Sequence, residues 1–161
     1  MHISQKSCTF AQKSEFMKKL LIIAFCAFSL SACADDSKII SFDLLPDNAK
    51  TLLQQYVDVQ QIIAVTQEGR SAWAEYDVLL SDRSQWDFDN KGALESVRVL
   101  AGVPNELVPT PIQTTVTKMY PEALIIKYSI DKSDREQEVE LNNRVELTFD
   151  LAGTLKEVDV D

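Results

Sequence analysis

The sequence predicts an α+β protein made of two tandem units, each a helix followed by a four-stranded antiparallel sheet, joined into one curved sheet with both helices on one face. Three observations carry this expectation. Residues 86–99 and 147–160 are two versions of one stretch, sharing Phe88/Phe149, Asp89/Asp150, Gly92/Gly153, Leu94/Leu155, Val97/Val158 and Val99/Val160. Pro46 and Pro109 each open an apolar stripe at helical spacing, since proline suits a first turn whose amides lack partners. Between each helix and its repeated stretch, apolar and charged residues alternate as they do in a half-buried strand.

The first stripe is Ala49, Leu52, Leu53, Tyr56 and Val57, and the second is Ile112, Val116, Met119 and Tyr120, stopped by Pro121. Ile62-Ile63-Ala64-Val65 and Ile125-Ile126-Lys127-Tyr128 read as the first strand of each unit. Next come residues 72–80 and 137–141, where Tyr76, Val78 and Leu80 oppose Glu75, Asp77 and Leu79. The repeated stretch supplies the last two strands, with glycine giving the turn its positive φ. The expected boundaries are a first unit over 42–100, a linker over 101–107 and a second unit over 108–161. One unit alone would be marginal, so the two sheets are expected to join edge to edge.

The N-terminus reads as an address. From Met17 come Lys18-Lys19, about eleven mostly apolar residues over 20–30, then Leu30-Ser31-Ala32-Cys33. This is the pattern of an export signal, and the run is shorter than the roughly twenty residues of a membrane span. The expected leader is 1–32, with the signal proper at 17–32. Residues 33–41 then form a polar tether. Leu30-Ser31-Ala32-Cys33 also resembles a bacterial lipobox, which implies lipidation of Cys33 and a membrane anchor. Ala34 in the next position implies the outer membrane, facing the periplasm.

Composition narrows the chemistry. The only histidine is His2 and the cysteines are Cys8, Cys26 and Cys33. After cleavage no Ser-His-Asp or Cys-His nucleophile system and no usual zinc site can be assembled, which leaves paired carboxylates as an enzymatic alternative. Nothing in the sequence suggests a deep pocket for them, and a non-enzymatic protein with no cofactor is expected. The chain carries a net charge of −9, and four of the five charged residues before Cys33 are lysines, so the remainder is more acidic still. Such a chain repels nucleic acid.

Leu45-Pro46, Tyr120-Pro121, the alternating Val139-Glu140-Leu141, and the hairpins from Phe88 to Leu94 and from Phe149 to Leu155 form an ordered set. Together they resemble the PepSY-like family of small secreted bacterial proteins, related in fold to the β-lactamase-inhibitor protein. The likeness spans about 42–160, with Val57-Asp58 in place of aromatic-Pro and Val108 in place of Leu. It implies a sheet whose open face meets another protein, as an inhibitor or regulator of an exported enzyme.

Strand alternation places Glu75, Asp77, Asp87, Glu138, Glu140, Glu146, Glu157 and Asp159 on the wet face, with Trp73 and Leu79 as apolar anchors. Trp73, Glu75, Asp77, Leu79, Asp87, Glu138, Glu140 and Glu146 are the expected protein-binding residues. The same acids would equally serve a merely solvated face, in an accessory lipoprotein without a dedicated target, and a cation-binding module is a third reading. Asp87-Phe88-Asp89-Asn90-Lys91-Gly92 resembles a calcium loop only superficially. Lys91 stands where an oxygen ligand is needed and Arg98 where a Glu is needed, so a hairpin turn is expected and no metal.

Overall fold

A computed structural model describes residues 37–69 and 73–160. The leader, the lipobox and Cys33 lie outside the described residues. No helix among the described residues is long and apolar enough to cross a membrane.

The strands are β1 (Lys38–Ile39), β2 (Ile62–Glu68), β3 (Glu75–Leu80), β4 (Gln85–Phe88), β5 (Leu94–Arg98), β6 (Ile125–Asp131), β7 (Glu136–Leu141), β8 (Val145–Asp150) and β9 (Leu155–Val160). They form one antiparallel sheet in which spatial order equals chain order. Two ten-residue helices, α1 (Asp47–Tyr56) and α2 (Thr110–Met119), and short 3-10 turns join them among the described residues.

This corrects the expected fold class. The protein is mostly β, a single nine-stranded sheet with two short helices, and not a tandem pair of helix-plus-four-strand α+β units. The ladder does not break in the middle: β5 pairs with β6 through Ser96↔Ser129, Val97↔Tyr128 and Arg98↔Lys127. Residues 38–39, expected in the tether, add a ninth strand by pairing with Thr66 and Gln67 of β2. Continuous pairing removes interior edges, so the sheet as a whole is the structural body.

Both helices pack on one face. Ala49 and Leu53 of α1, and Ile112 and Val116 of α2, share a core with Val78, Trp86, Phe88, Val97, Val139, Leu147 and Phe149. Helix α1 follows Pro46 and is steadied by the Lys50–Asp47 ion pair at 2.8 Å, which puts an acid in the electropositive first turn. Helix α2 carries Pro111 in its first turn and ends at Tyr120, before Pro121. The hairpins close against the helix starts. A Cβ on Gly92 would lie 2.7 Å from the Ala49 amide nitrogen, and one on Gly153 would lie 2.8 Å from Pro111 Cβ. Both glycines have positive φ, so the turn and the close approach each require them.

One buried polar pair interrupts the apolar core. Tyr128 donates its hydroxyl hydrogen to Gln137 Oε1 at 2.7 Å, and Gln137 Nε2 donates to the Asp150 carbonyl at 3.0 Å. Burial pushes the Tyr128 phenol up to about 12.

Candidate functional site

With both helices on one face, the other face of the sheet is left open. Cross-strand pairing arranges its side chains in rows. One row passes from Thr66 through Asp77, Asp87 and Ser96 to Ser129, then to Glu138, Thr148 and Glu157. The next row passes from Ala64 through Leu79, Gln85 and Arg98 to Lys127, then to Glu140, Glu146 and Asp159. Residues between these rows, such as Val78, Val97 and Val139, point into the core, as the two-residue period demands.

Seven of the eight expected binding residues lie along this face: Glu75, Asp77, Leu79, Asp87, Glu138, Glu140 and Glu146. Trp73 lies outside the strands, just before β3, and is 85% exposed. The acids form two groups, and the middle of the face is not acidic. Ser96, Ser129, Arg98 and Lys127 of β5 and β6 separate Asp77 and Asp87 from Glu138, Glu140 and Glu146.

Arg98 reaches across β6 to make a two-point contact with Glu140, Nη2 to Oε2 at 2.6 Å and Nη1 to Oε1 at 3.3 Å. These central residues were not among the expected ones. Their signal was present in the sequence, because Ser96 and Arg98 flank inward Val97 just as Lys127 and Ser129 flank inward Tyr128.

Electrostatics differ between the two groups. Burial, then the neighbouring Asp87 and Glu68 charges, raise the Asp77 carboxyl to about 7. Burial also raises Asp87, although hydrogen bonds from Ser96 and Asp77 work against it. Asp77 and Asp87 are thus a carboxyl pair that favours holding a proton between them. Glu146 is raised by burial and by Glu138, with Lys127 opposing. At the rim, Lys132 bridges Asp89 at 2.6 Å and Glu95 at 2.8 Å.

The segment with a superficial calcium pattern is the β4–β5 turn. Asp89 Oδ1 accepts the Lys91 and Ala93 amides at 2.9 and 2.8 Å, and Gly92 N–H donates to the Asp89 carbonyl at 2.9 Å. Its carboxylate is therefore divided between the turn, through Oδ1, and Lys132, through Oδ2. Among the described residues no three His, Cys, Asp or Glu side chains gather to hold a metal.

The fold is shared with known proteins. A "putative calcium-regulated periplasmic protein" of Bacteroides thetaiotaomicron is 32% identical with a TM-score of 0.71, the match covering 79% of this chain and 99% of that one. A "putative periplasmic protein" of Bacteroides vulgatus is 29% identical, also with a TM-score of 0.71 and the same coverage. A second Bacteroides vulgatus protein, described as periplasmic and of unknown function, is 20% identical and shares the fold, with a TM-score of 0.70 over 76% of this chain and 98% of that one. No curated protein matches. The model of the family described as "putative β-lactamase-inhibitor-like, PepSY-like" matches residues 74–157, from the start of β3 into the first half of β9. With the continuous β3–β8 ladder inside that match and a relative above 30% identity along nearly its whole length, this chain belongs to the PepSY-like family.

Proposed function

We propose that this PepSY-like protein is exported to the periplasm and held at the envelope, facing the periplasm from the outer membrane, through a lipid on Cys33. There it binds another protein through the open sheet face, as an inhibitor or regulator of an exported enzyme and not as an enzyme itself. The carrying observation is the face: a broad sheet surface left uncovered by both helices, with acids grouped on either side of a hydroxyl-and-basic centre. Such alternating charge selects a partner by complementarity and sets register. The periplasmic description of the relatives supports export, and the lipobox in the sequence supports the anchor. Calcium regulation, named for the Bacteroides thetaiotaomicron relative, is not part of this reading: among the described residues no three His, Cys, Asp or Glu side chains gather as a cation site.

Affinity capture from the envelope of the source organism tests the face. A single stoichiometric, salt-sensitive partner is expected, and replacing Glu138, Glu140 and Glu146 together by Gln should weaken its capture more than about tenfold. Unchanged capture would discard the face as the site. For the anchor, Cys33→Ser should abolish incorporation of labelled fatty acid, and normal labelling would refute it.

A further inference from the structure

The two edges of the sheet are built differently. At one edge β1 is two residues long, whereas at the other β9 presents six residues with no strand beyond it among the described residues. An edge strand offers alternate backbone N–H and C=O groups to any extended chain alongside. Protection by proline is missing from β9, and its one lysine, Lys156, is engaged by Glu136. The bulge on this ladder falls between Thr148 and Phe149, which leaves 157–160 in regular register with β8.

Side chains on β9 sort by face. Glu157 and Asp159 stand beside Thr148 and Glu146 on the open side. Val158 and Val160 stand beside Leu147 and Val145 on the helix side, yet are 37% and 72% exposed. A second copy of the chain fits this edge poorly. Antiparallel self-pairing centred on Glu157, Val158 or Asp159 sets carboxylate opposite carboxylate, and like charges directly opposite destabilise a ladder. The complementary occupant has cations on one side and aliphatic groups on the other.

We infer that β9 is a strand-addition site for an extended segment of another protein in which Lys or Arg alternates with aliphatic residues. Its main chain continues the ladder from β9, its cations meet Glu157 and Asp159, and its aliphatic side chains cover Val158 and Val160. The site lies at the edge and stands independently of binding at the open face.

The test uses the purified full chain and labelled ten-residue peptides of alternating Lys and Val, or Glu and Val, followed by fluorescence anisotropy and amide hydrogen exchange. The Lys–Val peptide should bind roughly tenfold tighter or more, and should slow exchange at alternate amides of β9. N-methylation of the peptide's edge-facing amides should abolish binding while leaving its charge unchanged. The exposed double variant E157K/D159K should reverse the preference towards the Glu–Val peptide. Equal affinity for both peptides, full binding by the N-methylated peptide, or protection centred on β5–β7 would overturn the site. Self-association through β9 without peptide would overturn the occupant. Replacing Glu138 and Glu140, which lie on β7 with β8 between them and β9, by Gln should leave peptide binding within about twofold, which separates this site from the open face.

Discussion

Asp77 and Asp87 stand directly opposite each other on β3 and β4, and the Asp87 charge adds to burial in raising the Asp77 carboxyl. With Asp77 raised from 3.8 to about 7, the folded chain holds a proton between those values that the unfolded chain releases. The stability from this proton is fully present below about 4 and is lost as pH rises through about 7. Asp77→Asn should therefore melt higher than the parent at pH 8 and equal to it near pH 4. After solvent screening of this half-buried pair, the gain is on the order of 1–2 kcal/mol. Thermal melts of both proteins across that range check it, and a parallel pair of curves would refute the retained proton.

Gly92→Ala should be more damaging than Gly153→Ala. Both glycines sit at positive φ, but a Cβ at 92 meets the Ala49 backbone nitrogen, while one at 153 meets side-chain atoms, the Pro111 ring at 2.8 Å and Ile112 Cγ1 at 3.6 Å. Backbone cannot yield without moving α1. Losses of about 3 kcal/mol and about 1–2 kcal/mol are expected by urea denaturation, from strain and forced displacement. The reverse order would mean that the helix starts do not brace these turns.

Arg83 and Arg144 occupy the left-handed region, with φ of 70° and 67°, at the β3–β4 and β7–β8 turns. An L side chain pays roughly 1–2 kcal/mol there, and both residues are exposed. Arg144→Gly should raise stability by about 0.5–1 kcal/mol, and Arg144→Val should lower it by about 1 kcal/mol, read from melting temperatures.

Arg98 and Glu140 should show measurable coupling in a double-mutant cycle. Their side chains are about one-third exposed and meet at two points, so a coupling of about 0.5–1.5 kcal/mol is expected in place of the near-zero value of a loose surface pair. Additive single and double variants, by urea denaturation, would show that the contact contributes nothing.

Element by element, much of the chain was legible. Pro46 and Pro109 marked where the helices begin, and the alternation around Val78, Val97 and Val139 marked which side chains turn inward. The architecture was not legible in the same way. A period of two says that a residue lies in a strand, but not which strand lies beside it, so an edge-to-edge join could be expected from size alone while the β5–β6 register and the mostly-β balance had no sequence signal. The eye-catching internal likeness of 86–99 and 147–160 drew attention to units, when pairing between neighbours governs the whole.

At the candidate site the acids were legible, because a charge between two inward apolar residues must point out. Their division into two groups was not, because it depends on Arg98 and Lys127 being brought side by side from segments separated by a helix. Trp73 drew attention by its size, but it precedes β3 and gains no row of neighbours from the sheet.

Because the strands lie in space in the order in which they occur along the chain, each one pairs only with the segments just before and after it. A polypeptide arriving piece by piece can zip its hairpins together as they come, and only the two helical connections hold up the next seam. Few loops need to close over long distances, which favours rapid assembly and shortens the time that sticky strands stand unpaired.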